Sequence, residues 1–172
     1  YWAILGDVHP EMKDGAWAKI WLIKLAMDAG YQFIAWIDAD AAIMDFNANL
    51  RDALPVGKDI GAVIHSPDRS KYLQGLNVPE HMNVGVLYVR NTPMAKEFIT
   101  DWLASWPGKE RWAEQGSFND LVTSEKYRDI CTPVADTYNA TVNVNQVEKP
   151  IVQGWHGIMP PDKRFQMMRT FL

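Results

Sequence analysis

The segment YQFIAWI, residues 31–37, runs straight into Asp38-Ala39-Asp40. A near-continuous apolar run of this length reads as a strand covered on both faces. That confines the chain to a layered sheet, and it places two carboxylates one residue apart where the strand ends. Carboxylates so close repel each other, and burial makes the charge dearer unless something positive lies between them. Residues i and i+2 of a strand share a face. If the extended geometry continues past Ile37, Asp38 and Asp40 converge on one point outside the carboxyl end of the strand. That is where ligands of α/β sheets bind, and two hard oxygen donors there suit Mg²⁺ or Mn²⁺. The plainer reading is a solvated polar turn, since D-x-D is a common tripeptide.

The rest of the chain supplies the layers. YWAIL at the start reads as a short strand. DGAWAKIWLIKLAMDAG reads as a helix, with Trp17, Ile20, Trp21 and Leu25 at helical spacing, Asp14 at its cap and Gly30 at its end. DIGAVIHS and MNVGVLYVRN are strands, and TPMAKEFITDWLASW is a helix with Thr92 capping and Pro93 in first position. EQGSFNDLV opens another helix. Short strands follow in DICTPV, ATVNV and PIVQGW, and the tail PPDKRFQMMRTFL reads as loop with a short helix. Strands alternating with helices predict an α/β fold with a mostly parallel sheet flanked by helices, in one domain over 1–172.

Composition removes several function classes. The net charge is −4 and the 17 basic residues form no long run, which argues against nucleic acid as a partner. The lone Cys131 excludes an internal disulfide framework and a cysteine zinc site. No stretch approaches the roughly 20 apolar residues of a membrane span, and no signal peptide is legible. Those features lead us to expect a cytoplasmic protein of a bacterium or virus. The start at Tyr1 without methionine keeps open a fragment of an anchored protein, with the Golgi lumen as its compartment.

Four segments carry a family resemblance: AWAKIWLIKLAM, WIDADAAIMD, HMNVGVLYVRNTPMAKEFITDWL and EQGSFNDLV, with GWHGIMPPDKRF as a weaker fifth. In this order and spacing, over about residues 16–165, the chain resembles GT-A (Rossmann-like) glycosyltransferases. Within them it is most similar to the galactosyl/xylosyltransferase group related to the fungal GMA12 and MNN10 proteins, with glycogenin-like and other nucleotide-diphospho-sugar transferases nearby. The resemblance implies a metal-dependent hexosyl- or pentosyltransferase. It would move a sugar from a UDP- or GDP-sugar to a carbohydrate or other hydroxyl acceptor, with retention. The strand that normally opens such a fold and binds the nucleotide is absent or reduced to YWAILGDVHPE.

Residue by residue, the resemblance implies that Asp38 and Asp40, with Ala39 between them, hold the diphosphate and the metal, with His156 as third ligand. Asn83 and Gly85 would pass under the donor sugar, Glu114 and Gln115 would lie near the reacting carbon, and Lys19 and Lys163 would meet the donor, Arg164 being the alternative to Lys163. Each has a plainer account. Lys19 fits a solvated helix residue, Asn83-x-Gly85 a bulge, and Glu114 a first-turn residue favouring the helix dipole. His9, His65 and His81 read as polar loop residues and Cys131 as small core. Trp112 and Trp155 suit either an acceptor platform or the core. Two other functions compete. One is a non-catalytic or truncated nucleotide-sugar or metal-binding domain. The other is a haloacid-dehalogenase-type phosphatase, whose motif normally carries Thr or Val where this chain has Ala42.

Overall fold

The structure, a computed structural model, describes residues 15–66, 80–106, 114–142, 144–155 and 161–171. Expectations resting on YWAIL, His9, Asp14, Trp112 and His156 lie outside the described residues. Helix α1 (Gly15–Asp28) is followed by β1 (Phe33–Ile37), β2 (Ala41–Ile43), β3 (Ile60–His65) and β4 (His81–Arg90). Then come α2 (Pro93–Ala104), α3 (Glu114–Thr123), β5 (Cys131–Val134), β6 (Ala140–Thr141), β7 (Val152–Gly154) and α4 (Pro161–Phe171). The local signals act as their chemistry requires. Gly30 stops α1 in the left-handed region at φ 89°. Thr92 caps α2, its side chain accepting from Ala95 N at 3.2 Å with Pro93 in the first turn. The tail is helical over eleven residues, longer than the short helix its composition suggests.

The strands form two sheets, ordered β1-β4-β3-β5 and β2-β7-β6. The α/β class holds, but the sheets are mixed. Among the described residues only β3/β5 and β6/β7 pair in parallel, while β1/β4, β3/β4 and β2/β7 are antiparallel. The cause is the long β4, which lies between β1 and β3 and runs against both. His65 pairs with His81 at the base of the β3–β4 connection, so the chain returns beside itself and needs no crossover helix. Both histidines are buried, 4% and 9% exposed, with rings edge-to-face at 5.7 Å, and not the loop residues expected.

Alternation sorts the two faces of the first sheet. Ile34 and Trp36 of β1, with Leu87 and Val89 of β4, pack among Trp17, Ile20, Phe98, Trp102 and Phe118 of the helices. Phe33, Ala35 and Ile37, with Val86 and Tyr88, pack on the opposite side with Leu54, Val134 and Val152. Val84 breaks the phase: it joins Leu87 and Val89 on the helix side although it is even-numbered. The register explains this, stepping from Gly61↔Tyr88 to Val63↔Asn83, so Ala62 alone stands against residues 84–87. The bulge turns β4 just where β1 ends, and strips several backbone groups of their ladder partners.

Candidate active site at the seam of the two sheets

Asp38 and Asp40 stand where one sheet hands the chain to the other. Asp38 N extends the β1/β4 ladder by one bond to Gly85 O at 2.8 Å. Ala41 N then donates to Asp38 O at 2.9 Å and closes a four-residue turn. Trp155 N donates to Asp40 O at 2.8 Å, which starts the β2/β7 side. The extended geometry expected beyond Ile37 is therefore lost in a turn. Ala39 sits exposed at its tip.

Each carboxylate meets its own cation. Asp38 continues the face of Ile34 and Trp36, which places it toward the helices. There Lys19 Nζ of α1 lies 3.2 Å from its Oδ1 and 3.3 Å from its Oδ2, and Trp36 Nε1 donates to Oδ1 at 2.6 Å. Asp40 instead receives Arg164 Nη1 of α4 at 2.7 Å. Lys163, one residue away, is exposed, so the tail contact falls to Arg164.

Lys19 is 3% exposed, which rules out a solvated helix residue. Its ammonium also meets Glu114 Oε1 at 3.2 Å and Val84 O at 3.2 Å. Three donors meet three partners, so the charge is spent inside the protein. The bulge explains the third partner. Val84 O, left by the ladder, takes Lys19, and Val84 N takes Gln115 Oε1 at 3.1 Å. Gly85 N donates to Asn83 Oδ1 at 3.1 Å, and Asn119 brackets Met82, accepting from its N at 2.8 Å and donating to its O at 3.0 Å. Asn83-x-Gly85 is thus both a bulge and part of the cluster. The freed backbone groups of Val84 and Gly85, which would be costly unpaired, are bonded by Lys19, Gln115 and Asn83, the side chains expected to serve the donor.

These bonds also decide what is offered outward. Val84 N and Gly85 N can only donate, so Gln115 and Asn83 must turn their carbonyl oxygens to them. Asn139 Nδ2 adds a second donor to Asn83 Oδ1 at 3.0 Å. Among the described residues the amide nitrogens of Asn83 and Gln115 make no hydrogen bond of their own. Trp155 is 1% exposed and belongs to the core in this arrangement.

Two carboxylates on one turn are oxygen donors of the kind a hard divalent cation takes, and each is paired here with a side-chain cation. Among the described residues no group of three or more His, Cys, Asp and Glu converges, and His156 lies outside them. Sequence reasoning missed Trp36, Asn119 and Asn139. Trp36 was within reach, since its i, i+2 relation to Asp38 on one strand face is legible. Asn139 enters through a tertiary contact 56 residues away and leaves no local signal.

The fold is of the GT-A type, and solved structures similar to it include glycosyltransferases. One is involved in glycosylation of the major capsid of PBCV-1, with 15% identity, TM-score 0.67, and 94% of this chain and 80% of that one covered. GlyE of Streptococcus pneumoniae TIGR4 gives 18%, 0.57, and 92% and 43%. The galactosyltransferase LgtC, solved with donor and acceptor sugar analogs, gives 13%, 0.54, and 90% and 66%. The chain therefore spans less than half the length of the GlyE chain. No curated protein matches in sequence. A family model for nucleotide-diphospho-sugar transferases matches residues 8–156, and the chain belongs to that family. It is a glycosyltransferase, which sets aside the phosphatase reading. Nothing singles out the GMA12 and MNN10 group within that class.

Proposed function

We propose that residues 1–172 form one domain that transfers a hexose or pentose from a UDP- or GDP-sugar to a hydroxyl of a carbohydrate acceptor, with retention and with Mn²⁺ or Mg²⁺. The observation that carries this reading is the Asp38–Ala41 turn, whose carboxylates sit at a sheet seam beside the amides of Asn83 and Gln115. Asp38 and Asp40, with His156, would hold the cation against the donor diphosphate, and Ala39 would follow the same backbone. A cation bound there neutralises charge developing on the leaving nucleoside diphosphate. Arg164, freed from Asp40, would reach the phosphates, with Lys163 beside it. Asn83 and Gln115 would donate to sugar oxygens, and Gln115 would stabilise the sugar as it takes on oxocarbenium character.

Lys19 acts on the donor through Asp38 and Glu114, because its three donors are taken. Inversion needs a carboxylate base beside the acceptor hydroxyl. Glu114 is 8% exposed and paired with Lys19, which suits a structural anion better than an accessible base. That supports retention. A thermal-shift screen of UDP- and GDP-sugars with and without Mn²⁺ tests the reading. A donor at about 100 times its dissociation constant adds about 2.7 kcal/mol of stability. Stabilisation by donor only when Mn²⁺ is present agrees with the reading. Equal shifts with and without the metal contradict its metal dependence.

A further inference from the structure

We propose that Trp36 is a positioning residue: its indole N–H commits Oδ1 of Asp38 to the protein interior and leaves Oδ2 as the oxygen available to a cation. The inference rests on the metal site proposed above. A carboxylate has about four acceptor positions, two on each oxygen. At Asp38, Trp36 Nε1 and Lys19 Nζ both approach Oδ1, at 2.6 and 3.2 Å. Among the described residues Oδ2 receives Lys19 alone, at 3.3 Å. One position on Oδ2 stays open, and the Asp38 side chain is 30% exposed. The aspartate is thus set up to bind a cation through one oxygen.

The hold on it is rigid. Trp36 lies inside β1, opposite Leu87 of β4, and its ring packs with the helix-side core. Lys19 is buried beneath it. Without the indole N–H, Oδ1 regains a free position and the carboxylate can rotate about its last bond. Partners that orient a metal-binding carboxylate commonly contribute about 10–100-fold in metal affinity.

The test is a Mn²⁺ titration, with free aquo-Mn²⁺ read by electron paramagnetic resonance, on wild type, Trp36→Phe, Asp38→Asn and the double variant. Melting temperatures are recorded for all four. Phenylalanine keeps an aromatic ring in the core and removes only the donor side of the indole. We expect Trp36→Phe to bind Mn²⁺ about tenfold more weakly at a nearly unchanged melting temperature, and to have no further effect once Asp38→Asn is present. Wild-type affinity in Trp36→Phe overturns the proposal. So does an equal loss in both backgrounds, or a loss that comes only with a large fall in melting temperature, because Trp36 is then a packing residue. Failure of wild type itself to bind Mn²⁺ overturns the metal site, a distinct result that removes the proposal with it.

Discussion

The two aspartates of one turn are held in different ways. Asp38 is gripped from beneath by Lys19, whose side chain is 4% exposed and whose other partners, Glu114 and Val84 O, belong to the packed helix side. Asp40 is met from outside by Arg164, 26% exposed, on a helix that also carries the exposed Lys163, Phe165 and Gln166. The first ion pair is built into the core. The second joins a surface helix to the turn. Under the function proposed above, this division would leave one carboxylate preorganised and let the other exchange its arginine for a ligand.

Breaking the inner anchor gives the largest effect. Lys19→Met leaves Asp38 and Glu114 without their shared cation, and removing one partner of a buried pair costs about 3–5 kcal/mol. Urea denaturation should show a loss of that order. Lys19→Met/Glu114→Gln should regain part of it, because one of the two stranded charges is gone. An unchanged midpoint in the single variant would make Lys19 no more than a surface charge.

Breaking the outer anchor should leave the fold alone. Arg164→Ala removes a part-exposed pair worth no more than about 1 kcal/mol. Its instructive effect is on ligands. Affinity for Mn²⁺ alone should rise by up to about fivefold, as Asp40 loses a competitor, while affinity for a nucleoside diphosphate should fall. Calorimetry showing both affinities unchanged would mean that Arg164 and the ligands never compete.

Gln115→Ala sharpens the comparison on the donor side. It removes an outward amide nitrogen and also the acceptor of Val84 N. We expect turnover to fall about tenfold, with donor affinity less affected, if the contact strengthens as the leaving group departs. Equal losses in kcat and affinity would assign Gln115 to ground-state binding.

The smallest effects lie far from the seam. Burial raises the Cys131 thiol to about 12, so a disulfide reagent should leave it unmodified in the folded protein and react once urea unfolds it. Asp101 is held below the usual carboxylate range by hydrogen bonds from Lys126 and Tyr127. Its contribution is therefore present above the unfolded-state pKa and is lost as pH falls through the lower folded value. Asp101→Asn should cost a few tenths of a kcal/mol near neutrality, since the pair is exposed, and that difference should vanish in acid.

The contrast between the anchors also marks what the sequence could reveal. Helical spacing, Thr92, Pro93 and Gly30 located the helices, because those signals are local. The mixed pairing was hidden, since the direction of β4 depends on which strands it joins and not on its own residues. Asp38 and Asp40 were legible as a pair, but strand and turn both stayed open for them: Asp-Ala-Asp-Ala offers only the aspartate at its first position as a turn signal, and the bonds to Gly85 and Trp155 decide the path. Lys19 was singled out from the family pattern, and the structure places its ammonium against Asp38 and Glu114. Its burial could not be read, because it follows from the bulge at Val84.

The direct test of the account is nucleoside diphosphate release from a panel of UDP- and GDP-sugars, with Mn²⁺ and a carbohydrate acceptor, by wild type, Asp38→Asn and Asp40→Asn. The account predicts metal-dependent release by wild type and a loss of at least about a hundredfold in both variants, the scale of removing one strong transition-state stabiliser. Release by either variant at the wild-type rate, with the same Mn²⁺ dependence, would contradict the placement of the metal and diphosphate at this turn.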